Sequence, residues 1–130
     1  MTTPLSRYLI HIVEDDDAVR QALVFLIESC GGTVVAHQSA EEYLAANAGV
    51  KLRPAPNCLL LDLHLRGRNG AELLEQLKED QHTTPVIILT ARAGSDLAER
   101  ALGAGALQVI EKPFQSRELI QAITHAVQPM

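Results

Sequence analysis

Five short apolar runs, each followed by a segment with helical periodicity, constrain this chain more than any other feature. The runs are YLIHIV (8–13), TVVA (33–36), CLLLD (58–62), VIILT (86–90) and LQVIE (107–111). An apolar run of about five residues is typical of a strand buried on both faces of a parallel sheet. Regular alternation of such strands with helices indicates a parallel sheet that is covered on both sides. The sequence therefore predicts an α/β fold of five βα units.

Capping residues and glycines indicate where the intervening helices begin and end. Asp16 or Asp17 is expected to cap the first helix, and Ser39 with Glu42 has the pattern of a capping box for the second. The first helix should present one apolar face, made of Val19, Ala22, Leu23, Leu26 and Ile27. The predicted helices span about 17–30, 40–48 (closed by Gly49), 71–80, 96–102 after a Ser95 cap, and 117–127 after a Ser116 cap.

The order of the strands follows from the handedness of their connections. Crossovers between parallel strands are almost always right-handed, so few topologies remain. The order 2-1-3-4-5 is the common doubly wound arrangement of five strands, and its switch point lies between strands 1 and 3. Ligands of open α/β sheets bind at such a point, outside the carboxyl ends of the strands. We therefore predict a doubly wound, five-stranded parallel sheet with a ligand site at the ends of strands 1 and 3.

Polar residues stand at the ends of four of the five strands. Glu14 and Asp15 follow the first strand, Asp62 ends the third, Thr90 ends the fourth, and Lys112 follows the fifth. Taken singly, these residues are ordinary helix caps, strand formers or solvated charges. Because the carboxyl ends of parallel strands meet at one edge of the sheet, we expect the five side chains to converge in one pocket. The combination predicts a site for a divalent cation and a phosphoryl group.

The residue types suit that chemistry. Magnesium prefers oxygen ligands and usually takes one or two carboxylates, which Asp15 and Asp62 can supply while Glu14 holds a bound water. A run of four carboxylates begins at Glu14, and such charges repel one another unless a cation lies among them. A carboxylate can also attack phosphorus, and Asp62 is the candidate nucleophile. Thr90 can donate to a phosphoryl oxygen, and Lys112 can place a positive charge beside another.

Charge and composition exclude several other classes of protein. The net charge of −5 argues against a general affinity for nucleic acid. No apolar stretch approaches the roughly 20 residues of a membrane helix, and the N-terminus lacks the pattern of a signal peptide. Cys30 and Cys58 lack metal-type spacing, so we interpret both as small buried residues of a protein in the reducing cytosol. We interpret residues 50–56, with two prolines, as a surface connection rather than a domain boundary.

The motifs at the strand ends resemble those of the receiver domains of bacterial two-component response regulators. The matching segments are IVEDDDAVR (12–20), LLLDLHLRGRNG (59–70), VIILTA (86–91) and EKPF (111–114). HQSAEEYL (37–44) and AVRQAL (18–23) look most like the FixJ-type branch, whose members often carry a DNA-binding helix-turn-helix after the receiver. The resemblance implies the flavodoxin-like receiver fold. It also implies one receiver domain over residues 1–130, with its core at about 8–127 and no output domain in this chain.

The resemblance implies a role for each acidic residue of the site. Asp62 would be the phosphoacceptor, charged by a histidine kinase, a phosphotransfer protein or a small phosphodonor. Glu14 and Asp15 match the acidic pair that binds Mg²⁺, and the backbone carbonyl of His64 matches a further protein ligand of the metal. Such a domain is a signalling switch that catalyses only its own phosphoryl transfer and dephosphorylation, and it is not otherwise an enzyme. The expected location is the cytoplasm.

The resemblance also implies how such a domain transmits its signal. Thr90 matches the switch hydroxyl and Lys112 the lysine of the site, with a cis peptide expected between Lys112 and Pro113. Phosphorylation would repack the face formed by the fourth helix, fifth strand and fifth helix, which could mediate homodimerisation or contact an output module that controls transcription. The kinase would dock on the exposed face of the first helix, made of Arg20, Gln21, Val24 and Glu28.

Several positions depart from the pattern of the family. Arg66 stands where proline is usual, so the loop 64–70 is expected to be more mobile, with Arg66 or Arg68 able to reach the phosphoryl group or a partner. Val109 replaces the usual aromatic switch residue, so the aromatic half of the switch cannot operate in its standard form. His64 and Arg92 occupy the two positions that usually tune the lifetime of the phosphoryl group.

Three other classes of protein compete with this reading. A degenerate receiver would act as an interaction module without phosphorylation, and only Arg66 and Val109 favour it. A magnesium-dependent aspartyl phosphatase would usually place a second aspartate two residues after the nucleophile, where this chain has His64. A flavin-binding α/β domain would need phosphate-binding glycine, serine or threonine donors after the first strand, where this chain is acidic.

Overall fold

The computed structural model describes residues 4–47 and 56–128. Strands and helices alternate along them, as the sequence predicts. The strands are β1 (Leu9–Val13), β2 (Thr33–His37), β3 (Cys58–Asp62), β4 (Val86–Thr90) and β5 (Gln108–Glu111). The helices are α1 (Asp17–Ser29), α2 (Ala40–Asn47), α3 (Gly70–Glu79), α4 (Asp96–Gly103) and α5 (Ser116–Val127).

The sheet has the predicted order. Its strands run β2-β1-β3-β4-β5, and every neighbouring pair is parallel. The chain therefore changes direction across the sheet between β1 and β3, which is the predicted switch point. In the register of the ladder, Asp62 lies opposite Leu89, and Thr90 lies opposite Glu111. The ends of the central strands consequently share one edge of the sheet.

The central strands explain how the fold positions its polar residues. Every residue of β3 and β4 is buried, because helices cover both faces of the sheet. One apolar cluster contains Leu59 and Leu61 with residues of α3 and α4, and the other contains Leu60 with residues of α1 and α5. Burying a leucine side chain stabilises the fold by about 1.5–3 kcal/mol. Asp62 and Thr90, the last residues of β3 and β4, thus end two strands whose other residues form the core.

Two of the four predicted side-chain caps are present as predicted, a third is only half formed, and the fourth is wrong. The side chain of Asp16 accepts a hydrogen bond from the backbone N–H of Val19 (3.0 Å), and Ser95 caps α4 in the same way. Ser39 accepts from the N–H of Glu42 at 3.0 Å, but the Glu42 carboxylate accepts from Gln38 instead of closing the capping box. Gly49 and residues 50–55 lie outside the described residues.

The predicted cap at Ser116 is wrong. Gln115 is the last residue with an extended backbone before α5. It is therefore the N-cap of the helix, and its side chain makes no capping hydrogen bond. Ser116 is therefore the first helical residue, one position too late to act as the cap. The helix α3 also begins one residue earlier than predicted, at Gly70. Asn69 caps it and forms a complete capping box with Glu72. The asparagine of an Asn-Gly pair can serve as a helix cap as well as a turn residue.

Three further expectations concern burial and membrane insertion. Ala22 is exposed, so the apolar face of α1 is narrower than predicted and is centred on the buried Leu23 and Ile27. Cys58 is buried as predicted, but Cys30 is only half-buried because it lies at the end of α1 as its C-cap. In the described part of the chain, no helix is long and apolar enough to cross a membrane.

Two buried histidines lie side by side on β1 and β2. Nδ1 of His11 and Nε2 of His37 are 3.2 Å apart, and the ring of Tyr43 from α2 packs edge-on against both. A hydrogen bond between the two nitrogens requires one ring to donate and the other to accept. Burial lowers the pKa of His37 below its usual value of 6.5, although the nearby Glu42 partly opposes this shift. Burial therefore stabilises His37 in its neutral form.

This pair predicts a loss of stability in acid. The unfolded chain protonates His37 more readily than the folded chain, so the free energy of unfolding should fall as the pH drops from about 6.5 through the folded-state pKa. One group contributes a slope of at most about 1.4 kcal/mol per pH unit. Urea unfolding between pH 7.5 and 5 should show a shallower pH dependence for His37→Phe than for the wild type. His125→Phe, which makes the same replacement at an exposed histidine, is the matched control, and a slope of His37→Phe equal to that of the wild type would contradict the prediction.

Candidate functional site

Four of the five predicted site residues meet at the carboxyl edge of the sheet. Glu14, Asp15 and Asp62 each bring one carboxylate oxygen within 4.8 Å of the other two. The Lys112 ammonium lies 3.2 Å from Oε1 of Glu14 and 3.3 Å from Oδ1 of Asp62. The sheet ladder positions these residues, because the backbone N–H of Glu14 donates to the carbonyl of His37 just beyond the end of β1. The predicted cis peptide between Lys112 and Pro113 is present.

Thr90 completes the edge and is tied to its neighbours through backbone groups. It is fully buried at the end of β4, and its hydroxyl oxygen accepts a hydrogen bond from the backbone N–H of Arg92 at 3.2 Å. Its carbonyl accepts from the backbone N–H of Lys112 at 2.7 Å, which ties the two strand ends together. Within the described residues, no hydrogen bond joins the Thr90 side chain to Asp62 or Lys112.

The charges at this edge alter the pKa values of Glu14 and Lys112. Glu14 is only 2% exposed, and burial together with the charge of Asp62 raises its pKa, against the opposing effect of Lys112. Burial acts to lower the pKa of Lys112, but attraction to Asp62 and Glu14 outweighs it and the pKa is raised. Lys112 therefore stays protonated and serves as the internal counterion of two buried carboxylates.

The donor set fits a hard divalent cation. Three carboxylates and one ammonium leave the cluster with a formal charge of −2 when all are ionised. In an octahedral Mg²⁺ site with bonds of about 2.1 Å, neighbouring oxygens are about 3 Å apart and opposite ones about 4.2 Å apart. One carboxylate oxygen from each of Glu14, Asp15 and Asp62 lies within 4.8 Å of the other two, which is close to this range. His64 has an exposed side chain in the loop after β3, consistent with the use of its backbone carbonyl alone.

Two arginines bind this cluster from outside. Arg20 of α1 donates to the backbone carbonyl of Glu14 at 2.9 Å and pairs with Asp17. The backbone N–H of Arg66 donates to Oδ2 of Asp15 at 2.9 Å, and its Nε lies 3.6 Å from the same oxygen. The sequence reading missed the role of Arg20, although its spacing of three residues from Asp17 indicates a helical ion pair. No residue pattern signals a bond from a backbone N–H such as that of Arg66.

The other arginine of the same loop turns away from the site. The backbone N–H of Arg68 donates to a carboxylate oxygen of Glu41 at 3.1 Å, and its guanidinium donates to Gln76 at 3.4 Å. Between the two arginines, Gly67 adopts a positive φ of 75°, a conformation that favours glycine. The two backbone N–H groups therefore bind acidic side chains from different elements, Asp15 after β1 and Glu41 in α2.

Comparison with known proteins indicates the same family that the sequence motifs resemble. The family model described as "Response regulator receiver domain" matches residues 10–124. The transcriptional regulatory protein FixJ of Azorhizobium caulinodans is 39% identical over 114 residues, covering 88% of this chain and 52% of the relative. FixJ of Rhizobium meliloti is 36% identical over 122 residues, covering 94% of this chain and 58% of the relative. The chain thus spans about half the length of these curated relatives.

Solved structures give the same result. The crystal structure of full-length FixJ from B. japonicum superposes with a TM-score of 0.84 at 32% identity, covering 94% of this chain and 58% of that one. The structure described as FixJ-N superposes with a TM-score of 0.83 at 35% identity, covering 95% of both chains. These neighbours have the flavodoxin-like receiver fold that the strand order predicts. The chain is similar to FixJ proteins over most of its length, and it belongs to the receiver domains of response regulators.

Proposed function

We propose that this chain is a phosphorylation-controlled switch in two-component signalling, with Asp62 as its phosphoacceptor. The observation that carries the proposal is the position of Asp62. Its carboxylate ends a fully buried strand, lies 3.3 Å from the Lys112 ammonium, and shares an acidic cluster with Glu14 and Asp15. A nucleophilic carboxylate, a cation for the phosphoryl oxygens and a set of oxygen ligands for a divalent metal are thus adjacent.

The reaction we propose needs little covalent chemistry from the protein. An oxygen of Asp62 attacks the phosphorus of a phosphohistidine in the partner kinase or phosphotransfer protein, and a P–O bond forms as the P–N bond breaks. Lys112 holds a phosphoryl oxygen as negative charge shifts onto the new group. Glu14, Asp15, Asp62 and the carbonyl of His64 would hold Mg²⁺. When bound, this ion neutralises the charge of the carboxylates and of the incoming phosphoryl group.

The switch we propose passes through Thr90. Phosphorylation adds about 1.5 to 2 negative charges and strong acceptor oxygens beside β4. The Thr90 hydroxyl, whose oxygen accepts from the Arg92 N–H, would then donate its own hydrogen to the phosphoryl group, and the segment leading into α4 would repack. Val109 is half-buried against the core and has no ring to reorient. In this chain the response would therefore depend on Thr90 and α4.

Two surfaces are suited to the partners of such a switch. Leu102 of α4 and Leu107 before β5 are exposed, which supports dimerisation or an output contact through the α4-β5-α5 face. On α1, Phe25 is 76% exposed beside Gln21 and Glu28 of the predicted kinase-docking face, although the helical period gave no reason to single it out. The expectation that Arg20 belongs to this exposed face is wrong, because its side chain is only 13% exposed and is bound to Glu14 and Asp17. A large exposed apolar side chain is a good anchor for a partner. We propose that the kinase docks there and that the whole protein controls transcription without DNA contacts from this acidic domain.

The experiment that tests the proposal is intact mass spectrometry after incubation with acetyl phosphate. We expect a gain of one phosphoryl group that requires Mg²⁺ and is absent in Asp62→Asn. The matched control is Asp96→Asn, which removes an exposed aspartate from the first turn of α4 and should be phosphorylated like the wild type. No gain in any protein, with or without Mg²⁺, would contradict the switch and favour the phosphorylation-independent interaction module.

A further inference from the structure

Arg66 contacts the acidic site in two ways that differ in their consequences. Its backbone N–H donates to Oδ2 of Asp15 at 2.9 Å, whereas the Nε of its guanidinium lies 3.6 Å from that oxygen, beyond hydrogen-bonding distance. The Arg66 side chain is 90% exposed and the Asp15 side chain is 20% exposed. The N–H is thus a fixed part of the loop, and the guanidinium is a solvated charge at the outer side of the site.

The two contacts should act on a bound cation in opposite directions. A carboxylate oxygen has two lone pairs, so Oδ2 of Asp15 can accept the Arg66 N–H and still ligate a metal. The N–H therefore orients Asp15. The guanidinium repels a cation held by Asp15 and competes with it for the carboxylate. Lys112 offsets only one of the three negative charges of the cluster, so the charge of Arg66 acts on the negative charge that remains to attract the cation.

We infer that the Arg66 guanidinium weakens magnesium binding, so that the metal affinity of this receiver is set partly by a residue outside its ligand set. The inference rests on the proposed metal site and identifies Arg66 as a residue that lowers the affinity of that site. A single charge about 6 Å from a divalent cation, at the dielectric of water and with a Debye length of about 10 Å, changes affinity about fourfold. Because the weakening of magnesium binding comes from the charge, removal of the Arg66 side chain should abolish it even though the backbone N–H remains.

The test is a titration of ¹⁵N-labelled protein with MgCl₂ at 0.1 M ionic strength, followed by amide shifts around the site. Arg66→Ala keeps the backbone N–H and removes the charge, and we expect it to bind magnesium about fourfold more tightly than the wild type. Arg66→Lys keeps the charge and should bind like the wild type. The matched control is Arg68→Ala, which changes the net charge equally in the same loop but removes a side chain directed at Gln76.

The outcomes separate this inference from the proposed function. Tighter binding by Arg66→Ala alone, with a difference that shrinks at 1 M KCl, would support the inference, because salt screens a solvated charge. Equal affinities for Arg66→Ala and Arg68→Ala would overturn it and leave the metal site standing. A difference that persists at 1 M KCl would also overturn it, since the cause would then be a change in loop structure. No binding by the wild type would overturn both the metal site and the inference.

Discussion

Substitution of Lys112 by Met is expected to destabilise the metal-free protein by about 3–5 kcal/mol at neutral pH. Within the described residues, Lys112 is the only cation whose side chain is hydrogen-bonded to the carboxylates of Glu14 and Asp62. Both carboxylates are buried, so removal of the ammonium leaves two adjacent negative charges without a counterion. Breaking a buried ion pair on one side costs far more than losing an exposed one.

The destabilisation should depend on pH in a defined direction. The pKa of Glu14 is already raised by burial and by Asp62, and loss of Lys112 removes an influence that lowers it. The folded variant will therefore take up a proton on Glu14 more readily than the unfolded chain does. Its loss of stability should be largest above the folded-state pKa of Glu14 and should shrink as the pH falls toward the unfolded value of 4.5.

Urea unfolding measures this effect. Lys112→Met should recover part of its stability when Mg²⁺ is added, because the metal replaces the missing positive charge. The matched control is Lys78→Met, which removes an exposed lysine from α3 and should change the free energy of unfolding by less than about 0.5 kcal/mol. If both variants unfold alike at neutral pH, Lys112 is not the counterion of the buried carboxylates.

The sheet could be predicted from the sequence because strands that are buried on both faces consist of apolar residues. The bounds of β3 and β4 agree with the runs 58–62 and 86–90, since each is an unbroken apolar run that ends in one polar residue. Helix ends were harder to predict. Gln115, which has no capping side-chain bond, precedes α5, and Ser116 falls inside the first turn. A capping residue type identifies the position of a helix start only where the backbone also turns there.

The candidate site could also be predicted from the sequence in part. Parallel strands bring their carboxyl ends to one edge, so the convergence of Glu14, Asp62 and Lys112 follows from the strand order. The contact between Arg66 and Asp15 could not be predicted, because it is made by a backbone N–H whose direction depends on the conformation of the loop. Every residue except proline carries such a donor, so no residue type indicates which one is used.

Replacement of Gly70 by Ala is expected to destabilise the protein by about 3 kcal/mol. A Cβ at Gly70 would lie 2.5 Å from the carbonyl oxygen of Asp62 and 2.9 Å from Cα of Leu63. Both are backbone atoms where β3 ends, and the N–H of Gly70 donates to the carbonyl of Leu63 at 2.9 Å. The clash between the new methyl group and these backbone atoms can be relieved only if α3 moves away from β3, the strand that carries Asp62.

The same substitution should also impair phosphorylation, because the backbone atom that blocks the new methyl group belongs to the proposed phosphoacceptor. Urea unfolding and acetyl phosphate labelling can be measured on one preparation of Gly70→Ala. The matched control is Gly103→Ala, at the last position of α4, where a Cβ would meet nothing within 4 Å. Alanine loses less conformational entropy than glycine on folding, so the control should be neutral or more stable by up to about 1 kcal/mol. Equal stability and equal labelling of the two variants would show that α3 can shift freely, and that the close approach of Gly70 does not hold Asp62 in place.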